Sequence, residues 1–242
     1  MTAPKQQSLD REIKKVLGEI DERRRKNGLS DVKLTVWRLT VRTSYFLKRA
    51  FDILFSLLAL TVLSPLCLLA ALLIKLTSPG PVFFVHTRVG KYGRHFRFYK
   101  FRSMYVDAEQ RKAALLSQNQ SADGVIFKMK NDPRITPIGR ILRRTSFDEV
   151  PQFLNVLFGD MSLVGPRPPL PSEVRLYSMD DRKRLMVKPG LTCLWQVSGR
   201  SDIPFKQQVR LDKEYIIAHG VWQDLRILLR TIPAIMSGRG AY

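Results

Sequence analysis

The sequence predicts a mostly helical protein with a small β-hairpin, organised as one membrane element fused to one cytosolic domain. Three observations predict it. Residues from Ile53 to Ile74 form an apolar stretch without a single charge. Apolar residues at three- and four-residue spacing recur on both sides of that stretch, the mark of amphipathic helices. Only two short runs, Val82–Val85 and Phe96–Phe101, are β-branched or aromatic enough for strands, and Gly90 and Gly93 stand between them.

The chain opens with Leu9, Ile13, Val16, Leu17 and Ile20 at helical spacing, and Asn27-Gly28 ends that pattern. Such a helix suits a membrane surface, a partner subunit (and so a homodimer) or a solvated extension. From Leu34 to Arg49 a basic and apolar segment leads into the apolar stretch, with Trp37 and Tyr45 placed for the headgroup level. As a helix, Ile53–Ile74 would be roughly 30 Å long, about the hydrocarbon thickness of a bilayer. Ser64-Pro65 lies near its middle, and proline removes a backbone donor and crowds the preceding turn. Arg38, Arg42, Lys48 and Arg49 stand before the stretch, and Lys75, Arg88, Lys91, Arg94 and Arg97 after it. Basic residues favour the cytoplasmic side. These flanks fit a helix–break–helix that turns back at Ser64-Pro65, and they fit a kinked single span as well.

Downstream, Thr77–Pro81 reads as a turn, Met104–Gln118 as a helix, Asn119–Gly124 as a loop and Lys130–Arg134 as a turn. Ile138–Arg144 reads as a short helix with three arginines. One helix is expected over Asp148–Phe158, stopped by Gly159, followed by a rigid loop at Gly165–Pro169. Ser172–Met186, Pro204–His219 and Trp222–Met236 read as further helices, with a turn at Lys188-Pro189-Gly190. The expected divisions are residues 1–46 for the extension, 47–76 for the membrane element and 77–242 for the cytosolic domain.

Lysine and arginine number 41 against 21 acidic residues, a net charge of +20. A surplus that large calls for an anionic partner. With the apolar stretch beside it, anionic lipid and phosphate-bearing substrates are favoured over nucleic acid, for which neither helix-turn-helix spacing nor a Cys/His finger is visible. Cys67 and Cys193 form no disulfide framework or zinc pattern, which fits a reducing compartment. The apolar stretch starts too late and runs too long for a cleavable signal peptide.

The candidate chemistry centres on Arg143-Arg144-Thr145-Ser146-Phe147-Asp148-Glu149-Val150-Pro151-Gln152. Ser146 and Glu149 match a capping box, which explains them without function. The arginines remain unexplained by it. A carboxylate pair at a helix N-terminus facing arginines suits a divalent metal and a diphosphate, and an aspartate there can be a nucleophile on phosphorus. Lys100 and Arg102 share one strand face by period two, as a phosphate clamp or a solvated face. Arg167 sits between prolines in a loop that presents it at low entropic cost, or in a plain turn. Arg200 can bind phosphate or end a turn. Asp212, alone, reads as a surface helix charge.

These residues, with Tyr99-Lys100-Phe101-Arg102-Ser103-Met104 and the run Gly159-Asp160-Met161-Ser162-Leu163-Val164-Gly165-Pro166-Arg167-Pro168, resemble the bacterial sugar transferases, the monotopic phosphoglycosyl transferases. Lys188-Pro189-Gly190-Leu191-Thr192 and Gln196-Val197-Ser198-Gly199-Arg200 add to the resemblance, which runs from about Leu47 onward. It implies a monotopic membrane protein with the re-entrant course at Ser64-Pro65, at the cytoplasmic face of the bacterial inner membrane. It implies transfer of a hexose-1-phosphate, galactose or glucose, from a UDP-hexose to undecaprenyl phosphate with release of UMP, as the first membrane step of exopolysaccharide synthesis. Magnesium is the implied cofactor. The nucleophile carried over is Asp148, forming a covalent phosphosugar, with Glu149 its partner at the metal. Arg143 and Arg167 carry over to phosphate binding, and Lys100 and Asp212 to supporting roles. Residues 1–46 have no counterpart in the smallest members, the segment Tyr105–Phe127 is longer, and the additional spanning helices of the larger members are not in the sequence. The competing readings are a non-catalytic membrane scaffold of a polysaccharide assembly complex, a membrane-tethered nucleic-acid binder, and an enzyme that moves the sugar alone and releases UDP.

Overall fold

The computed structural model describes residues 18–19, 22, 31–115, 129, 131–199, 203–218 and 220–237. The chain forms two compact units, Met1–Leu47 and Lys48–Tyr242. The expected amphipathic helix around Leu9–Ile20, the loop at Asn119–Gly124 and Arg200 lie outside the described residues, apart from helical Gly18 and Glu19.

Helix α1 spans Asp31–Thr77 and continues through Pro65. The break expected at Ser64-Pro65 is therefore not a loss of helix. Pro65 has no N–H for the Thr61 carbonyl, and the Ser64 hydroxyl donates to that carbonyl instead, at 2.8 Å. The part from Arg42 to Thr77 is long and apolar enough to cross a membrane. Leu54, Leu58, Val62, Leu68 and Leu72 are exposed, whereas Asp52, Ser56, Ala70 and Ile74 are buried. Both ends of the apolar segment bond to the rest of the Lys48–Tyr242 unit. Before it, Lys48 pairs with Asp224 at 2.5 Å, and Arg49 donates to the carbonyls of Val156 and Leu157 near the end of a helix. Asp52 accepts from the Leu163 N–H at 3.0 Å. After it, buried Arg102 donates to the Ser78 and Pro79 carbonyls and the Ser78 hydroxyl.

Strands β1 (Phe83–Val89) and β2 (His95–Phe101) form the expected antiparallel hairpin. It is longer than its apolar runs, because the polar His86, Thr87 and Arg88 pair with Phe98, Arg97 and Phe96, and Val89 pairs with His95. Helix α2 covers Ala108–Leu115 and starts later than expected, since Met104 is taken up in a bridge to Ile135. Helix α3 (Pro137–Arg144) is capped by Thr136, whose hydroxyl accepts from the Gly139 N–H. A Cβ on Gly139 would stand 1.9 Å from the Ser103 carbonyl oxygen, so only glycine lets α3 approach the segment after β2.

The single helix expected over Asp148–Phe158 is divided. A 3-10 turn covers Phe147–Glu149 and helix α4 covers Gln152–Phe158, ended by Gly159 at φ 87°. Strands β3 (Ser162–Val164) and β4 (Gly190–Thr192) make a parallel pair that the sequence does not announce, Gly190 being expected in a turn. The helix expected over Ser172–Met186 is α5 (Pro171–Arg175) and a 3-10 stretch, Asp181–Met186. Between them, Asp181 accepts from the Ser178 N–H and hydroxyl, a local turn that outcompetes helix. Helices α6 (Phe205–Ile217) and α7 (Val221–Ser237) follow expectation. The main core joins Phe98, Phe101, Leu142, Phe153, Val156, Met161, Leu163, Val164, Tyr215 and Ile227.

Candidate active site

Asp148 and Glu149 sit on the 3-10 turn between α3 and α4, in contact with β2. Ser146 adopts a left-handed conformation at φ 56° and makes no capping hydrogen bond. The capping-box reading therefore fails, and Glu149 is free to bond elsewhere. The pair also precedes α4 instead of heading it, because the α-helix begins only at Gln152.

Lys100 on β2 holds the two carboxylates together. Its Nζ is 2.6 Å from Glu149 Oε1 and 3.3 Å from Asp148 Oδ2. Asn155 fixes the spacing between α4 and β2: its Nδ2 donates to the Arg97 carbonyl at 2.6 Å and its Oδ1 accepts from the Tyr99 N–H at 3.1 Å. Burial pushes the Asp148 carboxyl above the ordinary range, against the opposing pull of Lys100. Burial acts on Glu149 too, but Lys100 and Arg167 outweigh it and hold that carboxyl below its ordinary range. The two neighbours are thereby driven apart in acidity.

Arg143, in the last turn of α3, lies close enough to Asp148 and Asp132 to feel both charges; burial lowers its pKa. Arg167, in the Pro166–Pro168 loop, acts electrostatically on Glu149 and on Arg143. The structure thus brings together Asp148, Glu149, Lys100, Arg143 and Arg167. It does not add Arg102: β2 ends at Phe101, and Arg102 turns to the Ser78–Pro79 segment as a structural clamp. Asp212 is no surface charge. It is 1% exposed and pairs with buried Arg184 at 2.5 Å, while Arg184 also donates to the Tyr177 hydroxyl at 3.0 Å. Burial, only partly offset by Arg184, pushes Asp212 up to about 6.

Sequence reasoning overlooked Arg88, which it counted only as a flanking charge. In the hairpin register Arg88 lies opposite Phe96 and Lys100 opposite Phe84, so both cations share one face by period two. Phe98 lies between them, its ring centroid 5.2 Å from the Arg88 guanidinium carbon and 5.8 Å from Lys100 Nζ. The pairing register was the missing signal.

Among the described residues no three His, Cys, Asp or Glu side chains converge as a self-sufficient metal cage. Magnesium does not need one: it is commonly held by one or two carboxylates with substrate phosphates and water completing its shell. Asp148 and Glu149 are two adjacent hard oxygen donors that already share a cation, so their chemistry fits that ion.

A family model described as bacterial sugar transferase matches residues 43–238. Galactosyl transferase CpsE of Streptococcus agalactiae is 53% identical over 163 residues, covering 67% of this chain and 36% of that protein. Undecaprenyl-phosphate galactose phosphotransferase of Salmonella typhimurium is 45% identical over 208 residues, covering 84% of this chain and 43% of that protein. The exopolysaccharide production protein ExoY of Rhizobium meliloti is 40% identical over 198 residues, covering 81% of this chain and 88% of that protein. The chain thus spans less than half of the first two relatives and most of the third.

Proposed function

The chain belongs to the bacterial sugar transferase family, and we propose that it transfers a hexose-1-phosphate from a UDP-hexose to undecaprenyl phosphate, releasing UMP. Galactose or glucose is the hexose we favour; two of the relatives are named for galactose. The observation that carries the proposal is the Asp148–Glu149 pair clasped by Lys100 and flanked by Arg143 and Arg167.

In the first displacement an Asp148 carboxylate oxygen attacks the sugar-bearing phosphorus. A P–O bond forms to Asp148 while the bond to the UMP phosphate oxygen breaks, and UMP leaves with that electron pair. In the second, an oxygen of undecaprenyl phosphate attacks the same phosphorus. The acyl-phosphate bond breaks, Asp148 is regenerated as a carboxylate, and the product is the undecaprenyl diphosphohexose. Lys100 and Arg143 favour the ionised Asp148 that the attack requires, against its burial. Arg143 and Arg167 bind the phosphoryl oxygens and offset the charge that two phosphate substrates bring together. Asp148 and Glu149 would hold magnesium, which neutralises phosphate charge in the transition state. A covalent intermediate lets the donor and the lipid use one site in turn.

The reaction needs a site at headgroup level, and we place the enzyme on the cytoplasmic face of the inner membrane with a re-entrant α1. What supports this course is that both ends of the apolar segment bond to one unit, at Lys48, Arg49 and Asp52 and again at Ser78 and Pro79. A spanning helix would set those ends on opposite faces, about 30 Å of hydrocarbon apart. The net charge of +20 suits an anionic lipid surface.

The test is the nucleotide product. Purified protein with magnesium, undecaprenyl phosphate and a panel of UDP-hexoses should release UMP, and Asp148→Asn should reduce that release by about a thousandfold or more, as expected when a nucleophile is removed. Release of UDP would mean that the sugar moves without its phosphate. No release with any donor would favour the scaffold reading.

A further inference from the structure

We propose that Arg88 is a phosphate-binding residue of this site, forming with Arg167 a two-arginine clamp on the diphosphate of the nucleotide donor; the inference rests on the functional reading above. Four observations carry it. Arg88 lies on the Lys100 face of the hairpin, on the other side of Phe98. Its Nη1 donates to the Pro168 carbonyl at 3.1 Å, which brings the guanidinium to the loop that presents Arg167. Its Nε is wholly buried and has no hydrogen-bond partner among the described residues. A buried donor left open in this way is costly unless a ligand satisfies it.

The fourth observation is charge. Asp148, Glu149 and Glu173 supply three negative charges, and Lys100, Arg143, Arg167 and Arg88 supply four positive ones. Burial, together with the neighbouring Arg167, lowers the Arg88 pKa to about 10, with Glu173 and Glu149 opposing. Two guanidinium groups held close enough to repel one another form a site that an anion relieves. A diphosphate supplies negative charge to this cationic excess, and guanidinium forks match its oxygens in pairs.

The experiment is titration calorimetry of UDP into the full chain in lipid nanodiscs with magnesium, comparing wild type, Arg88→Gln, Arg88→Lys and Arg167→Gln. Arg94→Gln, an exposed arginine next to β2, is the control and should leave affinity unchanged. Arg88→Gln should weaken UDP binding by about tenfold to a hundredfold, and Arg88→Lys by less, since a charged hydrogen bond is lost or made less well. Combined with Arg167→Gln, Arg88→Gln should weaken binding beyond the single Arg167 variant. If it adds nothing there, Arg88 acts only by holding Arg167 and the inference falls. Unchanged affinity in both Arg88 variants overturns it equally. If Arg88→Gln does not fold, a wild-type affinity in Arg88→Lys still overturns it. Failure of the wild type itself to bind UDP would instead overturn the functional reading.

Discussion

Lys100 is the residue whose chemistry bears most directly on the proposed reaction. It is shared between two carboxylates of opposed tendency, Asp148 raised by burial and Glu149 held down by its cationic neighbours. A nucleophile must be ionised, so the acid limb of the activity profile follows the Asp148 carboxyl. Lys100 lowers that pKa; its removal can only raise it further. Lys100→Met is therefore expected to move the acid limb of the kcat profile to higher pH, along with a loss of rate at neutral pH. A pH–rate profile checks this, and a limb that stays in place or moves down would show that Asp148 is not the titrating group. Asp148, Glu149, Lys100, Arg143 and Arg167 were legible as single residues, because motif and charge mark them. Asp212 was misread as a surface charge, since nothing near it in the sequence announces Arg184 as its buried partner. Arg88 was passed over because its proximity to the site exists only once the hairpin register is known.

Among the elements, β2 and α4 form the frame on which the carboxylates are held, and Asn155 joins them. Its side chain satisfies one carbonyl and one N–H of β2, and it is fully buried. Asn155→Ala would leave both backbone groups without that partner. The expected cost is about 2–4 kcal/mol of stability, read by chemical denaturation, together with a fall in kcat as Lys100 and Asp148 lose register. A variant as stable and active as wild type would mean that the frame is set elsewhere. The hairpin and the helices α3, α6 and α7 were legible because each presents a period of apolar or β-branched residues long enough to recognise. The β3–β4 pair was not. Each strand has three residues, too few for alternation, and Gly190 reads as a turn although it is there for contact: a Cβ on it would stand 2.0 Å from the Gly165 nitrogen. The division of Asp148–Phe158 depends on the left-handed Ser146, a conformation that a serine in sequence does not advertise.

For the whole molecule, the question is what the membrane segment does with its two ends. Helix α1 is continuous by hydrogen bonding, yet Pro65 withholds one bond and Ser64 supplies a side-chain substitute. That substitution keeps the Thr61 carbonyl satisfied in an apolar medium, where an open carbonyl is costly, and it relaxes the demand that the backbone stay straight. Anchors on both flanks then draw the ends toward one unit: Lys48 and Arg49 on the near side, Arg102 through Ser78 and Pro79 on the far side. With Cys67 and Cys193 both replaced by serine, single cysteines at Arg42 and Arg94 report the course directly. In intact cells neither should react with a membrane-impermeant maleimide, and both should react after permeabilisation. Pro65→Leu restores an N–H for the Thr61 carbonyl and favours a straight helix. In that background the Arg42 cysteine should become reactive from outside while the Arg94 cysteine stays protected, since the basic residues that follow the apolar stretch hold its side. Labelling of Arg42→Cys in the otherwise wild-type chain would mean that α1 spans the membrane, and the anchors at its two ends could not then serve one headgroup-level site.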